Sequence, residues 1–130
     1  MAAVLVIEDE TSLRQVFARM LSADGHRVTE ARDGHEALRL LRSLAPDVIL
    51  TDIVMPNVDG FEVIAANRLR PQPAKVIAMS GVSGLGPDYL KTALELGADS
   101  ALQKPFRAAD LRAAILTCLG AEALPQTRYA

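Results

Sequence analysis

Asp47-Val48-Ile49-Leu50-Thr51-Asp52 is the stretch on which the fold turns. Its centre is apolar without interruption and is bounded by acids. That pattern suits a strand covered on both faces rather than one with a wet side. Such a strand needs helices above and below it, so the flanking sequence should supply them.

It does so on both sides. Upstream, Val4-Leu5-Val6-Ile7 is a second short apolar run, ending in Glu8-Asp9-Glu10. Leu13, Val16, Phe17, Met20 and Leu21 then recur at helical spacing, which predicts a helix from about Glu10 to Ala23, closed by Asp24-Gly25. His26–Ala31 is more polar and suits a strand at a sheet edge. Asp33 followed by Glu36 reads as a capping-box-like start, with Ala37, Leu38 and Leu41 on the apolar face of a second helix.

Downstream, Asp59 and Glu62 repeat the cap, and Phe61, Ile64, Ala65 and Leu69 are expected to face inward on a third helix. Lys75–Ser80 reads as a fourth strand. A loop from Gly81 to Gly86 follows, and Pro87 suits the first turn of a fourth helix lined by Leu90, Ala93 and Leu94. Gly97 is placed to end that helix. Ser100–Gln103 is a short fifth strand, and Leu111, Ala114, Ile115, Cys118 and Leu119 mark a last helix stopped by Gly120.

Five strand–helix units with short links predict an α/β fold, a doubly wound parallel sheet with helices on both faces. A closed barrel needs eight units, and 130 residues are too few. Residues 1–120 are expected to form one domain and 121–130 a weakly ordered tail. Those last residues hold no output domain, so the chain reads as a stand-alone regulator or as part of a larger protein.

Composition narrows the function. With three Phe, two Tyr and no Trp, the core falls to Leu, Val, Ile and Ala. A net charge of −2 with no basic stripe gives no expectation of direct nucleic-acid binding. Cys118 is the only cysteine, which precludes an intrachain disulfide. Glu8-Asp9-Glu10 interrupts any signal-like apolar segment, and no run approaches a membrane span. A cytoplasmic protein without membrane contact is the expectation.

In open α/β sheets, ligands bind beyond the carboxyl ends of the strands. Here those ends carry Glu8-Asp9, Asp52, Ser80-Gly81 and Lys104-Pro105. Two carboxylates about 5 Å apart repel by roughly 3 kcal/mol at an effective dielectric of about 20. Three together favour proton uptake or a cation, and Mg²⁺ suits oxygen ligands. Asp52 could then be a carboxylate nucleophile forming an acyl phosphate, with Lys104 as a point charge and Ser80 as a hydroxyl donor to the phosphoryl oxygens.

The acidic pair, Asp-Ile-Val-Met-Pro-Asn-Val-Asp-Gly at 52–60, Ser80, Gly97-Ala98-Asp99 and Lys104-Pro105-Phe106 together resemble the response-regulator receiver family of two-component systems. The resemblance runs in register from about residue 3 to 120. It implies a flavodoxin-like sheet of order 2-1-3-4-5. Asp52 would be the phosphoacceptor, served by a histidine kinase or histidine phosphotransfer protein. It also implies Mg²⁺ held by Asp9, Asp52 and the Val54 backbone carbonyl, with Glu8 acting through water. The Lys104–Pro105 peptide is expected to be cis. Phosphorylation would switch the 81–86 loop and the fourth helix. A downstream protein target would dock on the fourth-helix, fifth-strand, fifth-helix face, with Tyr89, Ala101 and Arg107 on or near it.

Two departures matter. Ala101 stands where many receivers carry Tyr or Phe, so the usual aromatic report to the output face is missing. Val54 and Val82 offer no carboxylate or amide to orient an attacking water, which predicts a long-lived acyl phosphate. Three rival functions fit this sequence less well. A haloacid-dehalogenase-like phosphohydrolase would want an acid at Val54, and a flavodoxin-like cofactor binder would not present Glu8-Asp9-Glu10 to a phosphate. A phosphorylation-independent adaptor is opposed by the intact Asp9, Asp52, Ser80 and Lys104. Asp33, Asp59 and Glu62 are assigned to capping, His26 and His35 to the surface, and Cys118 and the methionines 20, 55 and 79 to packing.

Overall fold

A computed structural model describes residues 1–55, 59–81 and 86–120. Positions 56–58 of the 52–60 motif, loop residues 82–85 with Val82, and the 121–130 tail lie outside the described residues.

The chain alternates β1 (Ala3–Ile7), α1 (Thr11–Ala23), β2 (Arg27–Ala31), α2 (Gly34–Leu40), β3 (Val48–Asp52), α3 (Gly60–Arg68), β4 (Lys75–Ser80), α4 (Gly86–Leu96), β5 (Ser100–Gln103) and α5 (Ala108–Cys118). The strands form one parallel sheet in the order β2-β1-β3-β4-β5. As its unbroken apolar run predicts, β3 is central and buried at all five positions.

Side chains alternate across a strand, so the sheet builds two cores from one set of strands. On one face Leu5, Ile7, Ile49, Val76 and Ala78 meet Ala37, Leu41, Val63, Ile64 and Ala93 of the α2–α4 side. On the other, Val4, Val6, Val48, Leu50, Ile77 and Met79 meet Phe17 and Leu21 of α1 and Leu111, Ala114, Ile115 and Cys118 of α5. Burial pushes the Cys118 thiol up to about 11, in keeping with a packing role. Met55 and Met79 are buried and Met20 packs against the second core.

Helix caps follow the acids. Asp33 accepts from the Glu36 N–H at 2.8 Å and Asp59 from the Glu62 N–H at 3.1 Å. Gly97 ends α4 with φ +121°, a conformation that side-chain-bearing residues avoid.

Several inward-facing expectations fail. Leu69 is 87% exposed because α3 ends at Arg68 and the chain turns away there. The buried stripe of α3 is Gly60, Val63, Ile64 and Asn67, which leaves Ala65 outside. Val16, Leu94 and Leu119 are likewise exposed, because the buried faces centre on Phe17, Ala93 and Ile115. His26 is half-buried, and its Nδ1 accepts the Ala2 N–H at 3.1 Å. His35 is exposed as expected. Asn67 occupies a core position because its amide clamps Ala74, donating to the carbonyl at 2.8 Å and accepting the N–H at 3.0 Å.

Candidate functional site

The sheet order reverses between β1 and β3: from β1 the chain goes outward to β2 and returns to β3 on the other side. Such a switch point opens a crevice at the carboxyl ends. Glu8 and Asp9 follow β1, Asp52 ends β3, Ser80 ends β4 and Lys104 follows β5.

One carboxylate oxygen from each of Glu8, Asp9 and Asp52 lies within 4.8 Å of the others. Glu8 and Asp52 are buried, at 2% and 5% exposure, whereas Asp9 faces solvent. The Lys104 ammonium lies between the two buried acids, donating to Glu8 Oε1 at 2.9 Å and Asp52 Oδ2 at 3.2 Å. Glu8 Oε2 accepts the Glu10 N–H at 3.1 Å. The Lys104 main chain is fixed as well: its N–H donates to the Ser80 carbonyl at 2.8 Å, and the Lys104–Pro105 peptide is cis. The Ser80 hydroxyl, 1% exposed as a residue, donates to the Gly81 carbonyl at a long 3.4 Å. The Val54 side chain is 45% exposed and brings no acid to the crevice.

Burial is the largest influence on Asp52 and raises its pKa above the ordinary aspartate value. The Lys104 charge and hydrogen bond and the Val54 backbone oppose the rise, and Asp9 adds to it. Glu8 is raised for the same first reason, opposed by its Lys104 hydrogen bond and augmented by Asp52. For Lys104, burial pulls downward, but the Glu8 hydrogen bond and the charges of Asp52 and Glu8 outweigh it, so its pKa rises.

Three ionised carboxylates against one ammonium (−3 + 1) leave a net −2 in a small volume. The donors are hard oxygens, one of them on solvent-facing Asp9. The set fits a small divalent cation entering from solvent.

Two positioning residues were not singled out from sequence. An added Cβ at Gly60 would lie 2.4 Å from the Asp52 carbonyl oxygen and 2.7 Å from Ile53 Cα, while the Gly60 N–H donates to the Ile53 carbonyl at 2.9 Å. Glycine therefore lets α3 press directly on the strand end that carries Asp52. The cue was present in Asp59-Gly60, but sequence does not say what the glycine approaches. Arg14 donates to the Glu8 carbonyl and to Glu30, both at 3.0 Å, tying the acidic loop to β2. No signal in the sequence separates it from a solvated arginine.

Half-buried Ala101 opens on a cleft of about 450 Å³ between β5 and α5, lined also by Gln103, Phe106 and Asp110. Tyr89 is half-buried against Phe61, with ring centroids 6.0 Å apart. Arg107 is exposed at the start of α5.

The model of the response regulator receiver domain matches residues 4–116. A probable transcriptional regulator, ycf27, of Guillardia theta is 40% identical over 116 residues, 89% of this chain and 44% of the relative. The positive alginate biosynthesis regulatory protein of Pseudomonas aeruginosa is 38% identical over 86% of this chain and 45% of its own length. The chain thus spans about half the length of the relatives it matches. Among solved structures, a receiver domain protein from Clostridium thermocellum is 31% identical with a TM-score of 0.83, covering 95% of this chain and 98% of its own. The receiver domain of the Francisella response regulator 1452 also gives 0.83, at 28% identity, 94% of this chain and 99% of its own.

Proposed function

The chain belongs to the response regulator receiver family, the signalling domains of two-component systems, and we propose that Asp52 is its phosphoacceptor. The observation that carries this reading is the single ammonium of Lys104 shared by two buried acids beside solvent-facing Asp9.

The donor is a histidine kinase or histidine phosphotransfer protein. An Asp52 carboxylate oxygen forms the new O–P bond while the P–N bond of phosphohistidine breaks, and the imidazole leaves with the electron pair and takes up a proton. Mg²⁺ is the cation that suits these oxygens, and Asp9, Asp52 and the Val54 carbonyl would hold it, with Glu8 acting through water. When bound, it neutralises charge on the transferring phosphoryl oxygens. Lys104 offers its charge to one phosphoryl oxygen. Ser80, whose present hydrogen bond to Gly81 is long, turns its hydroxyl to another.

Val54 presents no acid or amide to a hydrolytic water, so the acyl phosphate is long-lived. The domain's own chemistry is self-catalysed turnover of that phosphate, performed by residues 1–120. Its reader is a protein target on the face formed by α4, β5 and α5. With Ala101 in place of a ring, that target reads the rearranged 81–86 loop directly. The assigned location is the cytoplasm, in keeping with the lack among the described residues of a helix long and apolar enough to cross a membrane.

Acetyl phosphate with Mg²⁺, followed by intact mass, tests the reading. The native chain is expected to gain one phosphoryl group and Asp52→Asn none. An unmodified native chain would instead favour a phosphorylation-independent adaptor.

A further inference from the structure

We infer that Thr51 is a positioning residue for Asp52: its hydroxyl replaces the main-chain partner that the end of β3 gives up where the crevice opens. This rests on the phosphoacceptor reading above and adds to it a residue that carries no charge.

The Ile53 N–H donates to the Met79 carbonyl of β4 at 2.9 Å. In a trans peptide the carbonyl points the opposite way, so the Asp52 carbonyl is aimed toward the β1 side. Pairing with β4 runs on to Asp52, opposite Met79, whereas pairing with β1 stops at Thr51, opposite Ile7. Beyond that point the chain leaves β1 as Glu8-Asp9, and Asp9 comes to face solvent beside buried Asp52. The Asp52 carbonyl accepts the Thr51 hydroxyl instead, at 2.8 Å.

Thr51 is fully buried, and an added Cβ at Gly60 would lie 2.4 Å from the same Asp52 oxygen. Water therefore has little room to replace a lost hydroxyl, and a buried carbonyl without a donor is costly. The easiest relief is a tilt of the 52–53 peptide toward the crevice. That tilt draws the Ile53 N–H off Met79 and turns the Val54 N–H away from the Asp52 carboxylate that it bonds. The nucleophile would move with it, away from its place 3.2 Å from the Lys104 ammonium.

Two variants separate this task from simple packing because each task ranks them oppositely. Thr51→Val keeps the bulk but loses the donor, and Thr51→Ser keeps the donor but loses a methyl group. Amide hydrogen exchange reads the strand end directly, with Ile53 and Val54 compared against Leu50 within β3. In Thr51→Val, exchange at Ile53 and Val54 should rise by about tenfold relative to Leu50. Acetyl-phosphate labelling of the folded variant at saturating Mg²⁺ should slow by about tenfold. Thr51→Ser should stay near native in both measurements.

A folded Thr51→Val chain with native exchange at Ile53 and Val54 and a native labelling rate would overturn the assignment. So would a ranking with Thr51→Ser the slower of the two, which is the order that packing alone predicts. If Thr51→Val does not fold, the native chain still decides. A hydroxyl proton held on the Asp52 carbonyl exchanges slowly and gives a resolved Thr51 signal by NMR, and its absence would count against the assignment in the same way. Exchange and the hydroxyl signal are read without any phosphodonor. They decide how the strand end is held even if the native chain takes no phosphoryl group, a result that would sink only the phosphoacceptor reading.

Discussion

Acids stand at both ends of the sheet, and the two ends treat them in opposite ways. At the amino end Asp47 accepts the Ala3 N–H at 2.8 Å and returns its own N–H to the Ala3 carbonyl at 2.8 Å. Asp99 does the same with Val76, at 2.8 Å each way. Both acids are exposed, and each is satisfied by the backbone of a neighbouring strand. At the carboxyl end Glu8 and Asp52 are buried and depend on one shared lysine, and burial raises the pKa of both. An acid that closes a reciprocal backbone pair fixes register. An acid held in low dielectric against another acid stores unfavourable energy that a cation can release.

Removing the shared cation should produce the largest effect. Lys104→Met leaves two buried carboxylates uncompensated, and a loss of about 3 kcal/mol is expected at pH 7 in urea unfolding. The sign with pH follows from the raised acid pKa values. Protonation of Glu8 and Asp52 removes the uncompensated charge, so the loss should shrink as pH falls toward their folded-state values. A loss of equal size at pH 5 and pH 7 would mean that Lys104 contributes packing alone.

The clamp between α3 and β4 supplies the next largest effect, with no charge in it. Asn67→Ala strips both hydrogen bonds from the buried Ala74 peptide groups, so about 2 kcal/mol should be lost. Neither partner titrates, and the loss should be the same at pH 5 and pH 7. A pH-dependent loss would show that the clamp couples to the acids across the sheet.

Asp52→Asn should act in the opposite direction. The folded pKa of Asp52 lies above its unfolded value, so ionised Asp52 disfavours the fold at pH above both and ceases to do so below both. The amide removes that penalty, and a gain of about 1 kcal/mol at pH 7 is expected, fading as pH falls toward the ordinary aspartate value of 3.8. A destabilised Asp52→Asn chain would show that the Lys104 pair outweighs burial.

The same contrast explains what could be read in the sequence. A doubly wound parallel sheet and the acids' convergence were legible because unbroken apolar runs force burial and short links force parallel crossovers, whereas the strand order followed only from the family resemblance. Asp52, Lys104 and Ser80 were legible because each ends or follows a strand. Contacts between elements were not. Glu8 reads as half of a metal pair until Lys104, remote in sequence, is seen on it. Gly60 reads as a turn former until its absent Cβ is placed against the Asp52 carbonyl. Asn67 has a polar identity that hides its core position, and Leu69 an apolar identity that hides its exposure. Periodicity reports one helix face at a time, and where a helix ends decides which side chains remain on it.

The smallest effect belongs to Asp47, and there charge and hydrogen bonding can be separated. Asp47→Asn keeps an acceptor for the Ala3 N–H, so stability should stay within about 0.5 kcal/mol of native. Asp47→Ala removes the acceptor but leaves Ala3 near solvent, where water replaces it, and a loss of about 0.5–1 kcal/mol is expected. If the asparagine variant lost as much as the alanine, the carboxylate charge rather than the hydrogen bond would be holding β1 to β3. The amino end would then work by electrostatics as the carboxyl end does, and the division between a register-fixing and an energy-storing end of the sheet would fail.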